Sequence, residues 1–184
     1  MSKVFTLSEY LQYRTEFERF YEVENGQIVR LPTDSFLNNR IAIKLIMILA
    51  EHIDLRRISN KTEIIVSGRR FNSRFPDLVV FSKEQLPEVC QLKRSTISID
   101  MLPPLLVVEV VSSGEKARVR NYRYKRSEYA ARGIEYYWII DPQQQTFSEL
   151  KLVEGMYEAI VHDRTFWLED PLKIKMNFKY LFLP

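Results

Sequence analysis

The run LLVVEVV, residues 105–111, constrains this chain more than any other stretch. An unbroken apolar run of strand length implies a strand buried on both faces, at the centre of a sheet. Yet its middle carries Glu109. A lone carboxylate in such a strand loses its hydration, so it must pair with a cation, take up a proton or bind a metal. A second short apolar run, PDLVVF at 76–81, opens with Asp77 directly after Pro76. If the two strands are neighbours, both carboxylates converge at one end of the sheet. Two convergent carboxylates make a hard, oxygen-rich site suited to magnesium or manganese. Taken singly, each has a plainer reading: Asp77 as a turn residue after proline, Glu109 as the partner of a buried arginine.

The rest of the chain supplies what such a strand needs around it. TLSEYLQYRTEFERFY starts a helix, with Thr6 or Ser8 as cap and Leu7, Tyr10, Leu11 and Phe17 as its apolar stripe. FYEVENGQIVRLP reads as a hairpin turning at Asn25-Gly26. Pro32-Thr33-Asp34 opens a long helix, about Ser35 to Asp54, whose stripe includes Ile41, Leu45, Ile48 and Leu49. KTEIIVS, 61–67, is a strand, and 83–104 reads as loop. A basic amphipathic helix runs from about Lys116 to Arg132 and stops at Gly133. IEYYWIID, 134–141, is another buried strand ended by Pro142, followed by the strands FSELKLVEG and YEAIVHD and a closing tail. This order predicts an α/β or mixed α+β fold with one sheet and helices against it. With 184 residues, a single domain over 1–184 is expected.

Composition narrows the chemistry. The single cysteine, Cys90, excludes an internal disulfide and fits a reducing cytoplasmic setting. With only His52 and His162, a histidine-rich zinc site is disfavoured. No run approaches the roughly 20 apolar residues of a membrane span, and no signal segment is visible at the N-terminus. A glycine-rich phosphate loop is missing, which argues against a nucleotide cofactor. Tyr136, Tyr137 and Trp138 lie in a strand and are expected in the core rather than on a base.

The net charge of +3 says little, but its placement says more. EKARVRNYRYKR, 115–126, holds six basic residues and one acid. Arg56, Arg57, Lys61, Arg69, Arg70 and Arg74 form a second basic stretch. Either is compatible with a solvated face; two together favour a polyanion partner. Lys116, Arg118, Arg120 and Arg123 are the candidates for contacting a DNA backbone. Asn121, Lys125 and Tyr129 are spaced four apart and share one helix face, which is either a surface stripe or a face turned towards the carboxylates.

Five stretches, taken in order, resemble the putative restriction-endonuclease family, formerly a domain of unknown function, in the PD-(D/E)XK nuclease superfamily. They are YEVENGQIVRLP (21–32), FPDLVVF (75–81), LLVVEVVS (105–112), the Asn121-Lys125-Tyr129 spacing and GIEYYWIIDP (133–142). The resemblance covers about residues 5 to 160. It implies a restriction-endonuclease-like core, a central mixed sheet flanked by helices, and metal ligands on two adjacent strands. It implies hydrolysis of DNA phosphodiester bonds with Mg²⁺ or Mn²⁺. Asp77 matches the PD aspartate and Glu109 the second acid; Glu22 matches an acidic position that completes the metal shell, with Glu24 two residues on as its rival. Three positions depart from the pattern. Val111 stands where the superfamily usually has lysine, and Lys125 on the following helix is the matching catalytic lysine. Asn121 replaces a frequent aspartate, and Asn38 a frequent histidine. A homodimer is expected, since cutting both strands needs two sites. The alternative from another class is a catalytically inactive nucleic-acid-binding or regulatory protein on the same fold.

Overall fold

The computed structural model describes residues 3–12, 21–31, 33–68, 71–163 and 178–182. Phe17, Pro32, Arg69 and Arg70, used in the sequence reading above, lie outside the described residues. The chain opens with α1 (Leu7–Gln12) and the hairpin β1 (Tyr21–Glu24) and β2 (Gln27–Arg30). Next come α2 (Phe36–Ala50), a 3₁₀ turn at Leu55–Arg57, β3 (Ile58–Ser59), β4 (Glu63–Ser67), β5 (Asn72–Arg74) and β6 (Leu78–Val80). The short α3 (Leu86–Val89) and β7 (Thr96–Ile97) precede β8 (Leu106–Val110). A helix then runs as α4 (Glu115–Val119), a π segment (Arg120–Lys125) and α5 (Arg126–Arg132). Last are β9 (Tyr136–Asp141), β10 (Thr146–Val153), β11 (Met156–Asp163) and a 3₁₀ turn at Phe178–Leu181.

The mixed α+β class is as expected, but the strands divide into two sheets where one was anticipated. One sheet has the order β2-β1-β5-β4-β7 and the other β11-β10-β9-β8-β6-β3. The division falls at Phe75–Asp77, where the chain leaves β5 in the first sheet and enters β6 in the second. β8 and β9 pair in parallel, and the helix at 115–132 makes the crossover between them. The segment 83–104, expected as loop, holds α3 and β7. β7 adds to the edge of β4 through only two residue pairs, too short to leave a periodic signal.

β8 is buried on both faces, as its apolar run requires. Leu106, Val108 and Val110 pack with Ile41, Leu45 and Leu49 of α2. Ser35 caps that helix by accepting from the Asn38 N–H. Val107 and Val111 face the other way, against Ile64 and Val66 of β4 and Tyr129 of α5. Tyr136, Tyr137 and Trp138 are all core residues. Glu109 alternates with Val107 and Val111, so it lies on the face covered by α5.

The first hairpin is tied down at its turn. Asn25 and Gly26 both have positive φ, 51° and 78°, the geometry of a tight two-residue turn. The Gly26 carbonyl accepts from Phe5 N at 2.8 Å, and its N–H donates to Phe71 at 2.8 Å. A Cβ on Gly26 would lie 2.6 Å from the Phe5 carbonyl oxygen.

Candidate active site

β6 and β8 are antiparallel neighbours in the register Leu78–Val108, Val79–Val107. One step further along, Asp77 lies opposite Glu109. The convergence anticipated from the two apolar runs is therefore present. Asp77 Oδ2 accepts the Val110 N–H at 2.6 Å, which fixes the carboxylate against the strand that carries Glu109. Burial and the charge of Glu109 push the Asp77 carboxyl up to about 8, against the Val110 N–H and Lys125, which favour its ionised form. Glu109 is 4% exposed. Burial pushes it up as well, opposed by the Lys125 ammonium.

Lys125 reaches back from the π segment to the strand. Its Nζ lies 2.7 Å from Glu109 Oε1 and 3.0 Å from Glu22 Oε1. Tyr129, one turn on, donates its hydroxyl to the same Glu109 oxygen at 2.8 Å. Burial alone would pull Lys125 down, but Glu109 and Glu22 outweigh it and hold the ammonium above the usual lysine range. Asn121, Lys125 and Tyr129 are all buried, so their common face is turned inward. Asn121 accepts from the Tyr137 hydroxyl through its backbone carbonyl at 3.1 Å. Its side-chain oxygen is buried with no hydrogen-bond partner among the described residues. Asn38 also reaches the end of β8, donating to the Val110 carbonyl at 3.3 Å.

Glu22 and Glu24 separate cleanly. Glu22 is 1% exposed and points into the site, whereas Glu24 is exposed. Both contact Arg74 Nη1, at 3.1 and 3.0 Å. Arg74 also grips Glu128 of α5 with a fork, Nε to Oε2 at 2.6 Å and Nη2 to Oε1 at 2.9 Å. Burial would raise the Glu22 carboxyl, but Lys125 and Arg74 outweigh it and hold Glu22 below the ordinary range. In sequence Arg74 belongs to a basic stretch that suggests a polyanion partner, whereas in the fold it is engaged by three carboxylates. Its position three residues before Asp77, on a strand paired with β1, is a signal that only the pairing makes readable.

The basic residues of the helix have different surroundings. Lys116 and Arg120 line a cleft of about 680 Å³, together with Arg74, Ser112, Ser113 and Tyr124. Neither has a carboxylate partner among the described residues. Arg118 does: it pairs with the buried Asp141 and lies over the Tyr122 ring. That charge is already engaged, because Asp141 also caps the following turn through Gln143 N and Gln144 N. Arg123 is exposed and does not line the cleft.

The oxygen donors fit a hard divalent cation at Asp77 and Glu109. Among the described residues, the hydrogen bonds of Asp77 and Glu109 fall on Asp77 Oδ2 and Glu109 Oε1, and the Glu109 charge raises the Asp77 carboxyl. Among the described residues, no three His, Cys, Asp or Glu side chains gather closely enough to form a metal cluster. The Glu22 carboxylate joins Glu109 through the Lys125 ammonium.

This is an α+β core with facing acids on two adjacent strands and a lysine behind them. The chain belongs to the Uma2 family, described as "Putative restriction endonuclease", whose model matches residues 7–178. Membership supports a nuclease, a protein acting on nucleic acid. The fold is similar to the crystal structure of a "putative nuclease belonging to DUF820" from Anabaena variabilis, with a TM-score of 0.71 and 20% identity over 97% of each chain. No curated protein matches the chain.

Proposed function

We propose that this protein is a metal-dependent endonuclease that hydrolyses DNA phosphodiester bonds. Family membership supports the nuclease class, and the facing pair Asp77 and Glu109 supports metal dependence. Burial and the facing Glu109 charge raise the Asp77 carboxyl, a stress that a cation between the two acids would relieve. Asp77 and Glu109 would hold Mg²⁺, or Mn²⁺ in its place, and Glu22 would assist through its link to Lys125. When bound, the cation would polarise the phosphodiester and make a water nucleophilic near neutral pH.

The chain's own residues supply the rest. Lys125, in contact with Glu109, offers positive charge to a phosphate in the act of cleavage. Glu109 and Glu22 fix where that ammonium points, and Tyr129 holds the Glu109 oxygen. Asn121 backs the same helix face with a neutral amide. Lys116 and Arg120 supply charges for the DNA backbone, positioning it without reading sequence. Cutting both strands calls for two such sites, which a twofold pair of chains would provide.

The test is cleavage of supercoiled plasmid with Mg²⁺ or Mn²⁺ by the parent, Asp77→Ala and Glu109→Ala. Cutting by the parent alone is the expected result. No cutting by the parent under either metal, across salt and pH, would leave a nucleic-acid-binding protein on a nuclease fold.

A further inference from the structure

The cleft beside the helix combines basic residues with an aromatic ring. It contains an aromatic ring, two cations without a carboxylate partner among the described residues, and polar side chains, in a concave space of about 680 Å³. That volume falls within the range of small-ligand sites, about 300–1,000 Å³. It has room for an unpaired nucleotide with its phosphate. Tyr124 lines the cleft and is 60% exposed, so a ring face is open to solvent. Its neighbours Lys116 and Arg120 carry charges with no carboxylate partner among the described residues. Arg120 Nε is buried and without a hydrogen-bond partner there. The two acids in the cleft, Glu24 and Glu128, are both held by Arg74. Asn25 is exposed at the hairpin turn, with a side-chain amide available for a base edge.

None of Asp77, Glu109, Glu22 and Lys125 lines this cleft. It adjoins them instead, through Arg74, which also bonds Glu22, and through Ser112, which follows the strand bearing Glu109.

We infer that this cleft is a subsite for an unpaired nucleotide of the substrate strand, with its base stacked on Tyr124 and its phosphate on Lys116 and Arg120. A paired base hides its faces in the stack, so such a site selects DNA that is single-stranded or locally opened beside the scissile bond. The inference rests on the nuclease reading, and names the class of DNA that the site takes.

Binding of a short fluorescent oligothymidine and of a blunt duplex of equal length, measured by anisotropy in EDTA, tests it without cleavage. The oligothymidine is expected to bind about tenfold more tightly than the duplex. Tyr124→Ala, at an exposed position, is expected to lose about tenfold in oligothymidine affinity, and Tyr124→Phe to keep it. Lys116→Gln and Arg120→Gln are each expected to lower the salt slope by about 0.7. Equal or tighter binding of the duplex, or no loss in Tyr124→Ala, overturns the subsite. Plasmid cleavage by the parent is scored apart. Oligothymidine preference without any cleavage removes the nuclease reading; cleavage without that preference removes the subsite alone.

Discussion

The Lys125 ammonium stands between Glu22 of β1 and Glu109 of β8, 3.0 and 2.7 Å away, so one buried charge joins the two sheets. Replacing it with an apolar side chain leaves two buried carboxylates facing an uncharged group. Lys125→Met is expected to destabilise the fold by about 3–5 kcal/mol, the range for breaking a buried pair by removing one partner. Urea unfolding at pH 7 measures this. Lys125 sits above its ordinary range, so the stability it brings is complete at neutral pH and is lost only as pH rises through its folded value. A loss below about 1 kcal/mol would mean that the ammonium is not holding the sheets together.

Asp77 runs the other way. Its carboxyl is held at about 8, against about 3.9 in an unfolded chain. Between those values the folded state binds the extra proton, so stability falls as pH rises from about 4 to 8. Asp77→Asn keeps an oxygen for the Val110 N–H and removes the charge. It is expected to flatten that decline and, without metal, to stabilise the fold at pH 8 by on the order of 2 kcal/mol. Adding Mg²⁺ at pH 8 is expected to raise the melting temperature of the parent and leave Asp77→Asn unmoved. A melting temperature that ignores both pH and Mg²⁺ in the parent would contradict a charge-stressed acid at this position.

Arg74 forks onto Glu128 while holding Glu22, a geometry that a lysine cannot copy. Arg74→Lys is expected to cost about 2 kcal/mol, from the lost fork. A double-mutant cycle with Glu128→Gln is expected to give a coupling of about 1–3 kcal/mol. Additive effects would show that the fork contributes nothing to docking α5 on the first sheet.

Gly26 sits at a positive φ of 78°, with the Phe5 carbonyl where a Cβ would go. Gly26→Ala is expected to destabilise by about 1–3 kcal/mol, since both the backbone and its neighbour must shift. Faster amide exchange in β1 and β2 than in β8 and β9 would locate the damage at the hairpin that carries Glu22. An unchanged melting temperature would rule out that tight approach.

Much of this site can be read in the sequence because its signals are local. Glu109 interrupts an apolar run, Asp77 starts another, and Asn25-Gly26 marks a turn with its own chemistry. Lys125 and Tyr129 share a helix face by spacing alone, although the spacing does not say that the face is buried. What escaped was long-range. β5 is three residues long and polar, so no periodicity reveals it, and Arg74 has meaning only once β5 pairs with β1 and faces Glu128. The split into two sheets depends on which strands meet across 75–77. The π segment within an apparently ordinary helix has no compositional mark, because its residues suit an α-turn equally well.

Val111 is 4% exposed and packs with Ile64, Val79 and Tyr129, while Lys125 arrives from another element. The strand is thereby relieved of carrying both an acid and a base. Hydrophobic packing and buried charge answer to different segments, so substitutions that refine one need not disturb the other. In a lineage of such proteins, the strand could drift among apolar residues while the helix kept the charge.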